Sequence, residues 1–394
     1  MISYGKNVYD SKEIKAVNQV LKNSTQMGQQ VTIFEKKISK LFGKKHTVMV
    51  NSGSSALELA FSSLNYSKGS NFITPILTFG TTISSMLRYG YIPNFVDINL
   101  NTLCINESLI EKSINKKTVG ICVPNLIGNL PDWTIIKKIA KKYNLIVIED
   151  SADTLGYKFK NSNTSKLSDI TITSFYGSHI VSCAGNGGSI SVNSKKIYEK
   201  ILLLRSWGRS SSLYKENSEK IENRFNIKLD GIDYDKKFVF SDLGYNFEPS
   251  EIGASFGNVQ LSKLNNNIKI RQRNFMLHLK FFSNYKDLFY LPSTYDFVNT
   301  AWLAYPIIIK SSKINRKKLM IFLEKNKIQT RVVFTGNILR QPGFKKIKCI
   351  GRNRNFLNSD FIMKNSILVG LHHGLKKSDI AMMHKKIKLF LNNL

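Results

Sequence analysis

Through the first two thirds of the chain, short apolar runs alternate with segments whose apolar residues recur at helical spacing. The pattern predicts strands over 46–50, 71–74, 92–96, 119–123, 145–148, 170–175 and 188–192. It predicts helices over 54–64, 81–89 and 134–143. Strand–helix alternation of this kind builds a parallel or mixed sheet covered on both faces. In such sheets ligands sit beyond the carboxyl ends of the strands, so loop residues just after strands are where chemistry is expected. Past Gly244 the pattern changes. Helices over 251–264, 268–282, 316–326 and 378–391, with strands over 302–309, 330–334 and 366–369, predict a smaller α+β domain. We therefore expect a large domain over residues 1–250 and a small one over 251–394. Residues 210–240 are polar with little periodicity, and excursions of that length are usually functional or mobile.

Composition narrows the class. The chain has 394 residues, enough for two domains at roughly 100–200 residues each. With 42% hydrophobic and 22% charged residues it is globular in composition. Lys+Arg number 58 against 27 Asp+Glu, a formal net charge of +31. The excess is spread along the chain, with no basic block long enough to form a tail, so we read it as background composition. A basic nucleic-acid or membrane-surface binder is the remote alternative. Cys104, Cys122, Cys183 and Cys349 are far apart with no CxxC pair, which argues against a zinc site, a locally spaced iron–sulfur cluster or a disulfide framework. No apolar run reaches the ~18–20 residues needed to cross a bilayer, and the opening residues carry no apolar signal core. A soluble, cytoplasmic chain without membrane insertion is expected.

Four post-strand features carry candidate chemistry. Asn51-Ser52-Gly53-Ser54-Ser55-Ala56 is a small-residue turn opening a helix, which suits a phosphate. Val147-Ile148-Glu149-Asp150 ends an apolar strand on two acids, and an Asp there can hold a ring nitrogen protonated. Ser174-Phe175-Tyr176-Gly177-Ser178-His179, followed by Gly185-Asn186-Gly187-Gly188, offers a hydroxyl and a possible base. Leu243-Gly244-Tyr245-Asn246 precedes a long helix. Taken singly, each also reads as an ordinary cap or turn.

In this order and at these separations, the features resemble the DegT/DnrJ/EryC/StrS sugar aminotransferase family of pyridoxal phosphate enzymes. The resemblance runs from the N-terminal segment through Gly370. It implies fold type I, the aspartate aminotransferase-like α/β fold, with a large domain built on a mixed, mostly parallel sheet and a smaller α+β C-terminal domain. It implies that Ser54, Ser55 and Ser174 bind the cofactor phosphate, that Phe79 stacks on the pyridine ring and that Asp150 pairs with the ring nitrogen. Asn246 would reach the cofactor phosphate of the other subunit, which implies a homodimer with shared active sites.

One departure decides the activity expected. Ordinary members carry a cofactor-binding lysine where this chain has His179, and an imidazole cannot form that covalent imine. The subgroup with the same replacement consists of sugar 3-dehydratases. The resemblance therefore implies loss of the 3-hydroxyl from a nucleotide-linked 4-keto-6-deoxyhexose, with GDP-4-keto-6-deoxymannose as the expected substrate. Pyridoxamine phosphate would be the working cofactor and L-glutamate its amino donor, in deoxysugar and lipopolysaccharide O-antigen biosynthesis. His179 would act first as base and then as acid, which an imidazole of ordinary pKa near ~6.5 can do at neutral pH. The alternatives are a cluster-free relative of CDP-4-keto-6-deoxyglucose 3-dehydratase, which the run Phe334-Thr335-Gly336-Asn337 with Arg340-Gln341-Pro342 resembles more closely, and a nucleotide-sugar aminotransferase. The CDP-sugar enzyme holds an iron–sulfur cluster on cysteines after its Trp-Gly-Arg run. Here Trp207-Gly208-Arg209 is followed by Ser210-Ser211-Ser212 and no cysteine, so no cluster is expected. Asn186 replaces the family's usual Glu. Arg209, Arg331 and Arg340 are candidates for the diphosphate by charge and loop position. His372 and His373 are read as structural or substrate-rim residues, with no metal site.

Overall fold

The structure is a computed structural model that describes residues 1–164, 166–214 and 221–394. Its centre is a seven-stranded sheet. The strands are β1 (His46–Val50), β2 (Asn71–Pro75), β3 (Ile92–Val96), β4 (Thr118–Pro124), β5 (Ile146–Asp150), β6 (Ile170–Ser174) and β7 (Gly188–Val192). Their spatial order is β1-β7-β6-β5-β4-β2-β3. The contacts among β2, β3, β4, β5 and β6 are parallel, and β7 runs antiparallel between β6 and β1. The expected mixed, mostly parallel sheet is thus present.

Side-chain alternation explains why both faces are covered. Along β4 and β5, Ile121, Val123 and Val147 join one apolar layer with Phe34, Trp133 and Ile136. Their neighbours Cys122 and Ile148 join the opposite layer with Leu57, Phe61 and Ile201. A strand buried on both faces has to be apolar at every position, which is why these strands read as continuous apolar runs. The same alternation sends Glu149 to the Val147 side and Asp150 to the Ile148 side.

Glu149 is fully buried and saturated. Its carboxylate accepts from six donors: Asn125, Ser151, Tyr157, Thr164, Ser168 and Thr171. They come from the β4–helix connection, the segment after β5 and the start of β6. One buried charge therefore ties together the loops that flank Asp150.

The C-terminal part carries a four-stranded antiparallel sheet of Phe289–Tyr290, Ala304–Ile309, Ser366–Gly370 and Thr330–Arg331, in that spatial order. Its apolar face packs with residues of the Leu264–Phe282 and Lys377–Leu391 helices. Two carboxylates join distant parts of the chain by capping helices. Asp97, just after β3, accepts from the backbone amides of Asn358 and Ser359 at 2.9 and 3.0 Å, at the start of the Leu357–Asn365 helix. Glu251 accepts from the amides of Gly28, Gln30 and Val31 at 2.9, 2.6 and 3.1 Å, at the start of the Gln29–Phe42 helix. Both satisfy amides that a helix leaves without internal partners.

The N-terminal segment crosses to the C-terminal part. Ile2 exchanges backbone hydrogen bonds with Lys327 and Gln329 at 2.8 and 2.9 Å, and the Tyr4 amide donates to Gln329 Oε1 at 3.1 Å. The predicted strand over 330–334 is shorter in the structure, Thr330–Arg331, because Phe334 takes a left-handed backbone (φ 45°) and turns the chain. The excursion over 210–240 has its own structure on either side of residues 215–220, which lie outside the described residues. It holds a short helix, Ile221–Phe225, and a hairpin of Ile227–Leu229 with Ile232–Tyr234. Short pieces of this kind have too few repeats to register as periodicity. Among the described residues no helix is long and apolar enough to cross a membrane.

Replacing Glu149 with Ala strands its buried donors. The variant is expected to lose about 3–5 kcal/mol of unfolding free energy, read from the urea midpoint. An unchanged midpoint would show that water replaces the carboxylate at little cost.

Candidate active site

Beyond the carboxyl ends of β1, β4, β5 and β6 lies a cavity of about 410 Å³. Of the residues expected from sequence, Ser54, Phe79, Asp150, Ser174 and His179 line it, together with Asn186.

One end is built for an anion. The Gly53–Ser62 helix starts there, capped by Ser52, whose hydroxyl accepts the Ser55 amide at 3.0 Å. A Cβ on Gly53 would lie 2.7 Å from Ser174 Cβ, so glycine is what lets this first turn approach Ser174. Helix amides with the hydroxyls of Ser52, Ser54 and Ser174 are the donor set a phosphate takes. Ser55, also expected here, does not line the cavity. It is buried, and its hydroxyl donates to Asn51 Oδ1 at 2.6 Å and pairs with Ser52 Oγ at 2.9 Å. Ser52, beside it, lines the cavity.

The opposite requirement is met at Asp150. Its oxygens accept from the Thr82 hydroxyl at 2.9 Å and the Ala152 amide at 3.1 Å. Burial nevertheless pushes its pKa up to about 6; the two hydrogen bonds offset part of this and Glu149 adds to it. A cation beside it would favour the charged carboxylate. Phe79, 54% exposed, presents an open ring nearby and meets Phe334 edge-on at 6.1 Å. An anion pocket, an open aromatic face and a desolvated carboxylate together suit a phosphorylated aromatic cation.

His179 hangs from the loop after β6. Its Nδ1 faces the Ser174 carbonyl at 3.2 Å. A carbonyl only accepts, so Nδ1 carries the proton and Nε2 is the bare nitrogen. Burial lowers the imidazole pKa to about 4, with the Ser174 carbonyl opposing and the Arg271 guanidinium adding to the shift. The expectation of an ordinary imidazole titrating near neutrality is therefore corrected. Neutral water stabilises imidazolium, and this pocket does not.

Several lining residues carried no sequence signal. Tyr4 and Gly5 arrive from the N-terminal segment and Leu303 from the C-terminal part; Phe334, from the run noted in the sequence, joins them. Asp153 lies three residues beyond Asp150, and its position in the same post-strand loop could have flagged it. Asp153 Oδ2 accepts the Ile127 amide at 2.9 Å, and burial pushes its pKa up to about 7. Ile127 holds a left-handed backbone (φ 55°), unfavourable for a β-branched residue, in order to aim that amide.

The three arginines do not line the cavity. Arg340 makes a bidentate pair with Asp360, both contacts at 2.6 Å. Arg209 lies over the Trp207 ring at 4.3 Å. Arg331 is nearest, over the Tyr4 ring at 5.5 Å. Asn246 lies outside the lining; its carbonyl faces Asn51 Nδ2 at 3.4 Å. His372 Nε2 faces Ser3 Oγ at 3.1 Å, a structural contact, and His373 sits beside it half-buried.

If the pocket sets the protonation of His179 as described, its imidazole resonances titrate with a midpoint near 4. A midpoint at the ordinary value near ~6.5, read by NMR against a His179→Gln control, would contradict it.

Comparison with known proteins agrees with this architecture. The model of the DegT/DnrJ/EryC1/StrS aminotransferase family matches residues 7–388. The chain is 31% identical to GDP-4-keto-6-deoxy-D-mannose 3-dehydratase of Escherichia coli O55:H7, over 94% of this chain and 96% of that one. It is 31% identical to the lipopolysaccharide biosynthesis protein RfbH of Salmonella typhimurium, over 91% of this chain and 84% of that one. A solved GDP-4-keto-6-deoxymannose-3-dehydratase with a trapped PLP-glutamate geminal diamine superposes with a TM-score of 0.87 at 28% identity, covering 98% of this chain and 100% of that one.

Proposed function

Because the chain belongs to the DegT/DnrJ/EryC1/StrS aminotransferase family, we propose a function in which its cavity removes a sugar hydroxyl instead of transferring an amino group. The protein is a pyridoxal phosphate-dependent nucleotide-sugar 3-dehydratase. The observation that carries the reading is His179: among the described lining residues there is an imidazole and no lysine. The substrate we propose is GDP-4-keto-6-deoxymannose, with L-glutamate as amino donor, in deoxysugar and O-antigen assembly. Such substrates suit a cytoplasmic site of action.

Bound in its aminated form, the cofactor supplies the amine that takes the sugar's keto carbon and a ring that accepts electron density. The protein's residues do the rest. Ser52, Ser54 and Ser174 with the first turn of the Gly53–Ser62 helix hold the phosphate. Asp150 keeps the ring nitrogen protonated, and Phe79 covers a ring face. His179 Nε2 would take the proton from the cofactor's exocyclic carbon and return it to the departing 3-hydroxyl, which would leave as water. With no lysine to recapture the cofactor, the unsaturated amino sugar would leave and hydrolyse to a 3-deoxy-4-keto sugar and ammonia.

The reading includes a homodimer in which Asn246 reaches the neighbouring subunit's phosphate. Its support is an exposed apolar run beside Asn246: Leu243 is 92% exposed, and Phe238, Phe240 and Ile232 are exposed as well. Patches of that kind mark interaction surfaces. For the diphosphate, Arg331 is the candidate within one chain; Arg209 and Arg340 are offered to the assembled dimer. Residues 1–250 would form the cofactor domain and 251–394 the smaller one.

Mass spectrometry of products from a panel of GDP- and CDP-linked 4-keto-6-deoxy sugars, with pyridoxal phosphate and glutamate, tests the reading. A 3-deoxy sugar with ammonia is expected, and a 4-amino sugar would overturn it. His179→Asn is expected to lower dehydration at least about 100-fold while the cofactor stays bound. Leu243→Asp is expected to shift sedimentation toward monomer; a wild-type chain sedimenting as monomer at working concentration would remove the shared site.

A further inference from the structure

The cofactor ends of the cavity leave one polar corner unassigned, and that corner is made by the start of the chain. Ile2 pairs with Lys327 and Gln329, Ser3 meets His372, and the Tyr4 amide is held by Gln329. These contacts carry Tyr4 and Gly5 across the site as a strap. Gly5 lies so close to the loop before His179 that a Cβ on it would come within 2.7 Å of Ser178 Cβ.

Tyr4 lines the cavity, and no hydrogen bond engages its hydroxyl among the described residues. Its phenol interacts electrostatically with three groups on different elements. Asp153 lies on the loop after β5, Arg331 on the edge strand Thr330–Arg331 and Arg271 on the Leu264–Phe282 helix. Burial, and then the Asp153 carboxyl, push the phenol pKa well above its ordinary value, so Tyr4 stays a neutral hydroxyl. The groups around the phenol, one acid and two guanidiniums, are of both signs, so a ligand there would use the Tyr4 hydroxyl and not a net charge. A neutral polyol would find a donor and acceptor in Tyr4 and a further acceptor in Asp153 Oδ1, which holds no hydrogen bond among the described residues.

We propose that the N-terminal strap is part of the substrate site and that Tyr4 contacts the sugar ring, fixing the substrate with its sugar toward Asp153 and His179 and its diphosphate toward Arg331 at the rim. The inference rests on the nucleotide-sugar reading above. It divides the two halves of the reaction: Tyr4 serves the sugar half and not the glutamate half.

The test is Tyr4→Phe in the cofactor-loaded enzyme. Phe keeps the ring and removes the hydroxyl. Conversion of the cofactor to its aminated form by glutamate, followed by absorbance, is expected to stay within about twofold of wild type, while kcat/KM for the sugar nucleotide falls about tenfold or more. An unchanged sugar half-reaction overturns the inference. Equal losses in both halves also overturn it, since a merely structural residue would act that way. If wild type itself removes no hydroxyl from any sugar of the panel, the functional reading and this inference fall together. If wild type turns over and Tyr4→Phe matches it, only this inference falls.

Discussion

A carboxylate in a dry interior has to be answered by donors, and much of this fold is arranged around one that is. Glu149 sits at the end of β5 with six hydrogen bonds and with the Lys44 ammonium in its electrostatic field. Burial holds that ammonium down to about 8, so neither charge is cheap and each limits the other. The network pins the loops on either side of the strand. Asp150, one residue on and facing the other way, inherits a fixed position from a neighbour that never touches the site. An acid that must stand opposite a ring nitrogen needs such backing, because a strand end without it would fray.

The same logic of excluded water governs His179. In solvent an imidazole near neutrality is an even mixture of its two states. Here the Ser174 carbonyl fixes which nitrogen holds the hydrogen, and burial disfavours the cationic state. Its bare Nε2 is thereby left as the nitrogen able to accept a proton.

Local features of the site are legible in sequence, and assembled ones are not. The strands over 46–50, 92–96 and 188–192 coincide with β1, β3 and β7, although Thr47, Asn94, Ser189 and Ser191 are polar residues inside them, because their apolar residues still cluster into short runs of strand length. Ser54, Asp150, Ser174 and His179 lie where post-strand position and the family resemblance together point, at the lining of the cavity beyond the strands. Ser55 lies outside the lining because a helix's first turn rotates by ~100° per residue, so the serine next to Ser54 faces inward. Tyr4 is illegible for a different reason: nothing in Met1-Ile2-Ser3-Tyr4 signals that it will lie against residues from the far end of the chain. The left-handed Ile127 likewise depends on where Asp153 and Leu303 end up, which no local preference encodes.

The strap also sets an order of events during synthesis. The Tyr4 amide donates to the Gln329 side chain, which lies 325 positions later in the sequence. The seven-stranded sheet is complete by Val192, so a nascent chain can form the strand ends that carry Ser54, Asp150 and Ser174 long before Gln329 exists. Closing that contact is among the longest loop closures in the molecule, which makes it a late step on topological grounds. A chain stalled before Gln329 would therefore lack the contact that carries Tyr4 and Gly5 over the cavity, and that side of the cavity closes only once the C-terminal part has been made.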